Sequence, residues 1–151
     1  MSSEISGKVL FDTSVYLRIL RSEVYARKHR ERFARLAPRT YLCSIVAAEL
    51  HAGARTIQGM RLIDGLLSPY ARVGRVVFPI HADWVDQGKV LASLAIEQPA
   101  FRSKLPGLQN DVLIGLSARR IGATVLTENS RDFALIRPHV SMAFAAVGET
   151  A

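Results

Sequence analysis

Residues Asn110–Thr127 read NDVLIGLSARRIGATVLT, and this stretch decides the fold. Gln109–Ile121 has the length and content of a helix, and Gly122 supplies the residue that stops one. Ala123–Thr127 (ATVLT) then reads as a short apolar strand. Further strands lie at Lys8–Phe11 (KVLF), Thr40–Cys43, Arg75–Phe78 and Val140–Ala145. Between them run helical stretches. Ser22–Leu36 is capped by Ser22 and stopped by Pro38, and IVAAELHAGA follows a capping Ser44. Thr56–Leu67 ends near Ser68-Pro69. His81–Ile96 turns Val85, Gly88, Ala92 and Ala95 one way, with Trp84 and Leu91 beside them. Gln98–Gly107, with two prolines, reads as a loop, and Asn129–Ile136 as a short helix. Strands alternating with helices predict an α/β fold of three layers, α/β/α, around a central parallel sheet of four to five strands.

The chain has 151 residues, enough for one domain spanning residues 1–151 and for a core that needs no disulfide. Its 49% hydrophobic and 22% charged residues exclude a disordered chain. Cys43 is the only cysteine; it lies in an apolar run and reads as a small buried hydrophobe, in keeping with a reducing cytoplasm. The start, MSSEISGK, lacks a basic region leading into an apolar stretch, so it is not read as a secretory signal. No apolar run approaches the ~18 residues of a membrane span. The net charge of +7 points to a polyanionic partner. Part of it is local: Arg18, Arg21, Arg27, Lys28, Arg30, Arg32, Arg35 and Arg39 face only Glu23 and Glu31 in that stretch. The pairs Glu23–Arg27 and Glu31–Arg35 also fit an ordinary solvated helix face.

Four acids stand where chemistry would sit. Asp12 closes the first strand, and in a parallel sheet ligands bind beyond the carboxyl ends of strands. It would equally serve as cap of a helix starting at Thr13 or Ser14. Glu49 sits in IVAAEL, the most apolar helical turn of the chain, where a carboxylate needs a partner; an exposed stripe with His51 or Arg55 nearby would also accommodate it. Asp111 is read in the first turn of its helix, where the helix dipole favours an acid regardless of function. Asp132 follows the strand ATVL and has the same ordinary explanation, with Asn129 as cap. Their joint arrangement carries the argument. A parallel sheet can gather such positions, grouped carboxylates repel, and a hard divalent cation relieves the repulsion. Oxygen-only ligation suits Mg²⁺ or Mn²⁺, and such ions support phosphodiester cleavage.

At these residues the sequence resembles the PIN-domain family, most of all the toxin ribonucleases of bacterial VapBC-type toxin–antitoxin pairs. The matching pieces are VLFDTSVYL, SIVAAELHAGA, NDVLIGLSARRIGATVLT and the TENSRDF that runs on from it. The resemblance implies a PIN-like fold and a Mg²⁺- or Mn²⁺-dependent endoribonuclease. Asp12, Glu49 and Asp111 would be catalytic metal carboxylates, completed by Asp132 and supported by Thr13, Thr127 and Asn129. Related sequences often carry an acid where Asn129 stands, which leaves the fourth ligand between Asp132 and Asn129. It further implies a homodimer and a cognate antitoxin whose peptide fills the active-site groove. From charge alone, Arg27, Lys28, Arg32 and Arg35 of the basic helix are the candidates for holding RNA backbone. No histidine is assigned to catalysis, and water would be the nucleophile.

Two other classes compete. A non-catalytic RNA- or partner-binding PIN module would keep the fold without binding metal. A phosphotransferase of the haloacid-dehalogenase type would explain VLFDTS, but that family places a second aspartate where Ser14 stands. A receiver-type domain lacks its paired acids here. The RNA target is not encoded in any motif.

Overall fold

A computed structural model describes residues 5–149, so the first residues of the MSSEISGK stretch lie outside the described part. The five strands are β1 (Val9–Phe11), β2 (Thr40–Cys43), β3 (Val76–Val77), β4 (Thr124–Thr127) and β5 (Ala143–Ala146). They form one sheet in the order β3-β2-β1-β4-β5, and every pairing is parallel. Val9 is paired with Thr40 on one side and Thr124 on the other, so β1 is the centre of the sheet. Its three residues are buried, as expected of a strand covered on both faces.

The helices are α1 (Thr13–Arg21), α2 (Glu23–Lys28), α3 (Arg30–Leu36), α4 (Ser44–Ala52), α5 (Ile57–Arg72), α6 (His81–Glu97), α7 (Leu105–Ile121) and α8 (Ser130–Ile136). Right-handed crossovers put the connections from β1 to β2 and β2 to β3 on one face. The connections from β3 to β4 and β4 to β5 then cover the other, giving the three-layer α/β/α arrangement expected from the sequence. The chain leaves β1 toward one edge and returns through β4 toward the other, so the strand order reverses between them. That reversal opens a crevice beyond the ends of β1 and β4. Among the described residues no helix is long and apolar enough to cross a membrane.

Several elements differ from their sequence-based expectations, each for a physical reason. Ser22–Leu36 is not one helix. Ser22 ends α1 and accepts from the Tyr25 backbone amide at 3.2 Å, starting α2. His29 then interrupts the run between α2 and α3. Its ring is buried against Tyr25, 4.6 Å between centroids, and lies near Phe33. The helix α5 runs through Pro69 to Arg72. Burial of Ile63 and Leu67, with Tyr70 hydrogen-bonded to Tyr16, outweighs the cost of one interior proline.

Helix α6 buries Asp83, Val90, Leu94 and Ala95, while Trp84 and Val85 face outward. The rotation follows from Asp83, which accepts from the Ile80 amide and from Arg120 at 3.0 Å. Arg120 also donates to the Phe78 carbonyl, bolting the end of α7 to the start of α6. Part of the expected loop Gln98–Gly107 is helical: a 3-10 turn covers Pro99–Lys104 and α7 begins at Leu105. Pro106 is tolerated in that first turn. Ser44 is the first residue of α4, preceded by Cys43 as cap position. The last strand begins at Ala143, after the expected Val140.

Gly122 ends α7 at φ +68°, a conformation that costs an alanine roughly 1 kcal/mol. Gly88 lies exposed inside α6 with open space around it, where alanine gains up to about 1 kcal/mol of helix propensity. Thermal unfolding should therefore shift by roughly 2–4 °C in opposite directions: Gly122→Ala downward, Gly88→Ala upward. Equal shifts of the same sign would contradict the assigned backbone.

Candidate active site

Asp12 lies one residue past β1 and is the cap of α1. Its amide donates to the Leu126 carbonyl at 3.0 Å, which fixes it beside the end of β4. The side chain is 3% exposed, and its oxygens are held separately. Oδ1 accepts from Ser14 Oγ at 2.5 Å and from the Val15 amide at 3.4 Å; Oδ2 accepts from Thr127 Oγ1 at 2.6 Å. The helix cap is thus at the same time a buried carboxylate. Burial raises its pKa, and the hydroxyl and amide donors pull against that rise without cancelling it.

The residues after β4 are threaded through the same hydroxyls. Thr127 Oγ1 accepts from the Asn129 amide at 2.8 Å while it donates to Asp12. Ser14 Oγ accepts from the Glu128 amide at 2.9 Å. Asn129 Nδ2 donates to Asp132 Oδ2 at 2.7 Å, so Asn129 orients Asp132 and makes no side-chain cap bond. Across the crevice Glu49 on α4 accepts from Thr13 Oγ1 at 2.8 Å. The neighbours read as its possible companions are elsewhere: His51 is engaged with the Ala47 carbonyl and Asp64.

Asp111 is the acid whose setting changes most. Because α7 starts at Leu105, Asp111 is in the second turn, beyond the reach of the dipole argument. The seven residues that follow it, Val112 to Ala118, are all buried. Its pKa is pushed from 3.8 up to about 7, first by burial and then by the charges of Asp12, Asp132 and Glu49. The four acids therefore share one electrostatic environment. Among the described residues none of the four is in an ion pair with lysine, arginine or histidine.

The donor set is oxygen only and unneutralised, which is the chemistry that suits a hard divalent cation. As they stand, no three acid, histidine or cysteine side chains among the described residues are grouped tightly enough to grip one ion. The charge and donor types fit such an ion; the spacing is looser than a closed site. His29 is buried under α2 and α3, and His139 faces Glu97, so neither takes part.

Sequence reasoning overlooked Ser14 as a site residue, although it joins Asp12 to the β4–α8 turn. It also passed over Glu128, which accepts from Tyr25 Oη at 2.9 Å. The available signal was position: Glu128 follows the end of β4 as Asp12 follows the end of β1. Of the basic residues favoured from charge, Arg27 is tied to Glu23 and Arg32 to His29 Nδ1. None of Arg27, Lys28, Arg32 and Arg35 lines the cavity next to Ser14.

A family model described as PIN domain matches residues 9–137. Among solved structures, DNA-bound VapBC from Salmonella typhimurium superposes with a TM-score of 0.71 at 23% identity, over 94% of this chain and 99% of that one. FitAB bound to a DNA fragment gives 0.68 at 17% identity, over 92% and 94%. VapBC-1 from nontypeable Haemophilus influenzae gives 0.65 at 21%, over 93% and 98%. At these identities the likeness concerns the fold. No curated protein matches the chain.

The Asp111 carboxyl has a consequence for stability. Below pH 3.8 it is protonated folded and unfolded, with no effect. Between that value and about 7 the unfolded chain releases the proton first, so the folded state loses stability as pH rises. Discounted for partial exposure and screening, the loss is on the order of 2 kcal/mol. In chelator, Asp111→Asn should therefore be more stable than the parent at pH 8 and similar at pH 4, as read by urea unfolding. A parent at least as stable as the variant at pH 8 would show the acids are not uncompensated.

Proposed function

The chain belongs to the PIN domain family, and from that premise we propose that it is a divalent-metal-dependent endoribonuclease, the toxin of a toxin–antitoxin pair. The observation that carries the reading is Asp111, raised to about 7 by burial and by three neighbouring acids, none of which has an ion-pair partner among the described residues. Such an arrangement is costly in the bare protein and is relieved by a bound cation.

Asp12, Glu49 and Asp111 would hold Mg²⁺ or Mn²⁺, with Asp132 completing the set. When bound, the ion supplies charge neutralisation of the phosphodiester and activation of water. The chain's own residues preset the site. Ser14 and Thr127 hold both oxygens of Asp12, Thr13 holds Glu49, and Asn129 holds Asp132. Each hydroxyl or amide donates to a carboxylate, so all four residues orient these acids. His29, His51 and His139 are engaged with Arg32, Asp64 and Glu97, which agrees with water as the nucleophile. VapBC and FitAB are among the complexes that share the fold; by that likeness a cognate antitoxin is the proposed partner. A single domain over residues 1–151, a homodimer and a cytoplasmic location complete the proposal.

The second reading, a PIN module that binds RNA or a protein without cleaving, is favoured by one observation: the loose spacing of the acids. Calorimetric titration of Mn²⁺ into the metal-free protein separates the two. Saturable binding, lost in Asp111→Asn, is expected, with about 2.7 kcal/mol of added stability at a hundredfold excess over Kd. Asp12→Asn and Asp111→Asn should each lower RNA hydrolysis by roughly a thousandfold or more while keeping the far-ultraviolet spectrum. A folded parent that binds no Mn²⁺ would support the non-catalytic module.

A further inference from the structure

Helix α1 leaves the acid pocket carrying Ser14, Leu17, Arg18 and Arg21 on one face, because residues three, four and seven apart align on a helix. Ser22 and Tyr25 form the opposite wall, and together these six residues line a cleft of about 520 Å³. Its inner end is Ser14, whose hydroxyl donates to Asp12. The wall is fixed: Tyr25 is buried and donates to Glu128 at 2.9 Å, and the Arg18 guanidinium lies 5.8 Å above its ring. Arg18 and Arg21 are exposed, and among the described residues neither is in an ion pair. Arg27, by contrast, is neutralised by Glu23.

We propose that this cleft is the track along which single-stranded RNA reaches the acid pocket, with Arg18 and Arg21 holding phosphates adjacent to the one that is cleaved. The proposal rests on the nuclease reading and names the form of its substrate. Ser14 to Arg21 spans about 10 Å along the helix axis. That accommodates roughly three phosphates at the ~3.4 Å per-strand rise of a stacked helix, and fewer in an extended strand. Two guanidiniums with no carboxylate partner among the described residues match phosphates in charge and geometry. The apolar lining supplied by Leu17 and by the small part of Tyr25 left at the cleft suits unpaired bases, which a duplex keeps inside its stack. A single strand uses both features of the cleft; an acidic peptide would use only the charge.

The test is fluorescence anisotropy of a labelled random-sequence single-stranded RNA, in Mg²⁺ and in an Asp111→Asn background that leaves the RNA intact. Arg18→Ala with Arg21→Ala should weaken binding at least tenfold and reduce the salt slope by about 1.4, the value for two phosphates of a single strand. Arg18→Lys with Arg21→Lys should retain most of both, which excludes a folding defect. Arg27→Ala with Lys28→Ala should change binding less than threefold. Unchanged affinity in the alanine pair, an equal loss from the Arg27 and Lys28 pair, or no RNA binding by the parent overturns the proposal. So does loss of polyglutamate binding with RNA binding intact.

Hydrolysis of bis(p-nitrophenyl) phosphate by the Mn²⁺-loaded protein tests the nuclease reading separately, since that substrate is too short to enter the cleft. Absence of hydrolysis with arginine-dependent RNA binding would remove the catalysis and keep the track.

Discussion

Thr127 Oγ1 donating to Asp12 Oδ2 joins the ends of the two central strands through a buried carboxylate. Much of the surrounding geometry is conditional on it. The bond exists only because β1 and β4 are parallel neighbours in register, Phe11 against Leu126. One slip of that register would turn Asp12 to the opposite face. The backbone bond from Asp12 to Leu126 closes the same corner. Ser14 and Thr127 also accept from the amides of Glu128 and Asn129, so the turn into α8 is shaped by the groups that hold the acid. A charge that would be costly alone is made tolerable by donors aimed at it, and those donors in turn define a segment of the backbone.

Legibility in the sequence followed the length scale of the signal. The strands around KVLF, TYLC and ATVLT could be read because a short apolar run bounded by a polar or glycine stop has few other interpretations. The parallel three-layer arrangement followed from their alternation with helices. Where tertiary burial overrode local rules, reading failed. Pro69 looks like a stop until the apolar face continuing past it is known, and the orientation of α6 depends on an ion pair with Arg120, 37 residues away in sequence. His29 breaks a run that has every local mark of a helix because its ring packs inward on Tyr25.

The same distinction applies to the site. Asp12, Glu49, Asp111 and Asp132 stand out in the sequence as acids in apolar or strand-end positions and remain the proposed set, with the charges of the other three adding to burial in raising Asp111. The roles of Ser14 and Glu128 were not legible, since each is defined by a partner about a hundred residues distant. Charge counting led to the basic run of α2 and α3, whereas the unpaired arginines beside the acids are on α1. A count of cations says nothing about which are already neutralised by neighbours such as Glu23.

Helix α7 carries Asp111 near one end and Arg120 near the other, about 14 Å apart along a single rod. Since Arg120 is fastened to Asp83 and to the Phe78 carbonyl, the placement of the acid is set partly by a joint remote from it. Mechanically, Asp83 and Arg120 act as one unit. Loss of Arg120 alone would strand the buried Asp83 charge, and loss of either would loosen the joint, so a change far from the pocket would reach the acid through the rod.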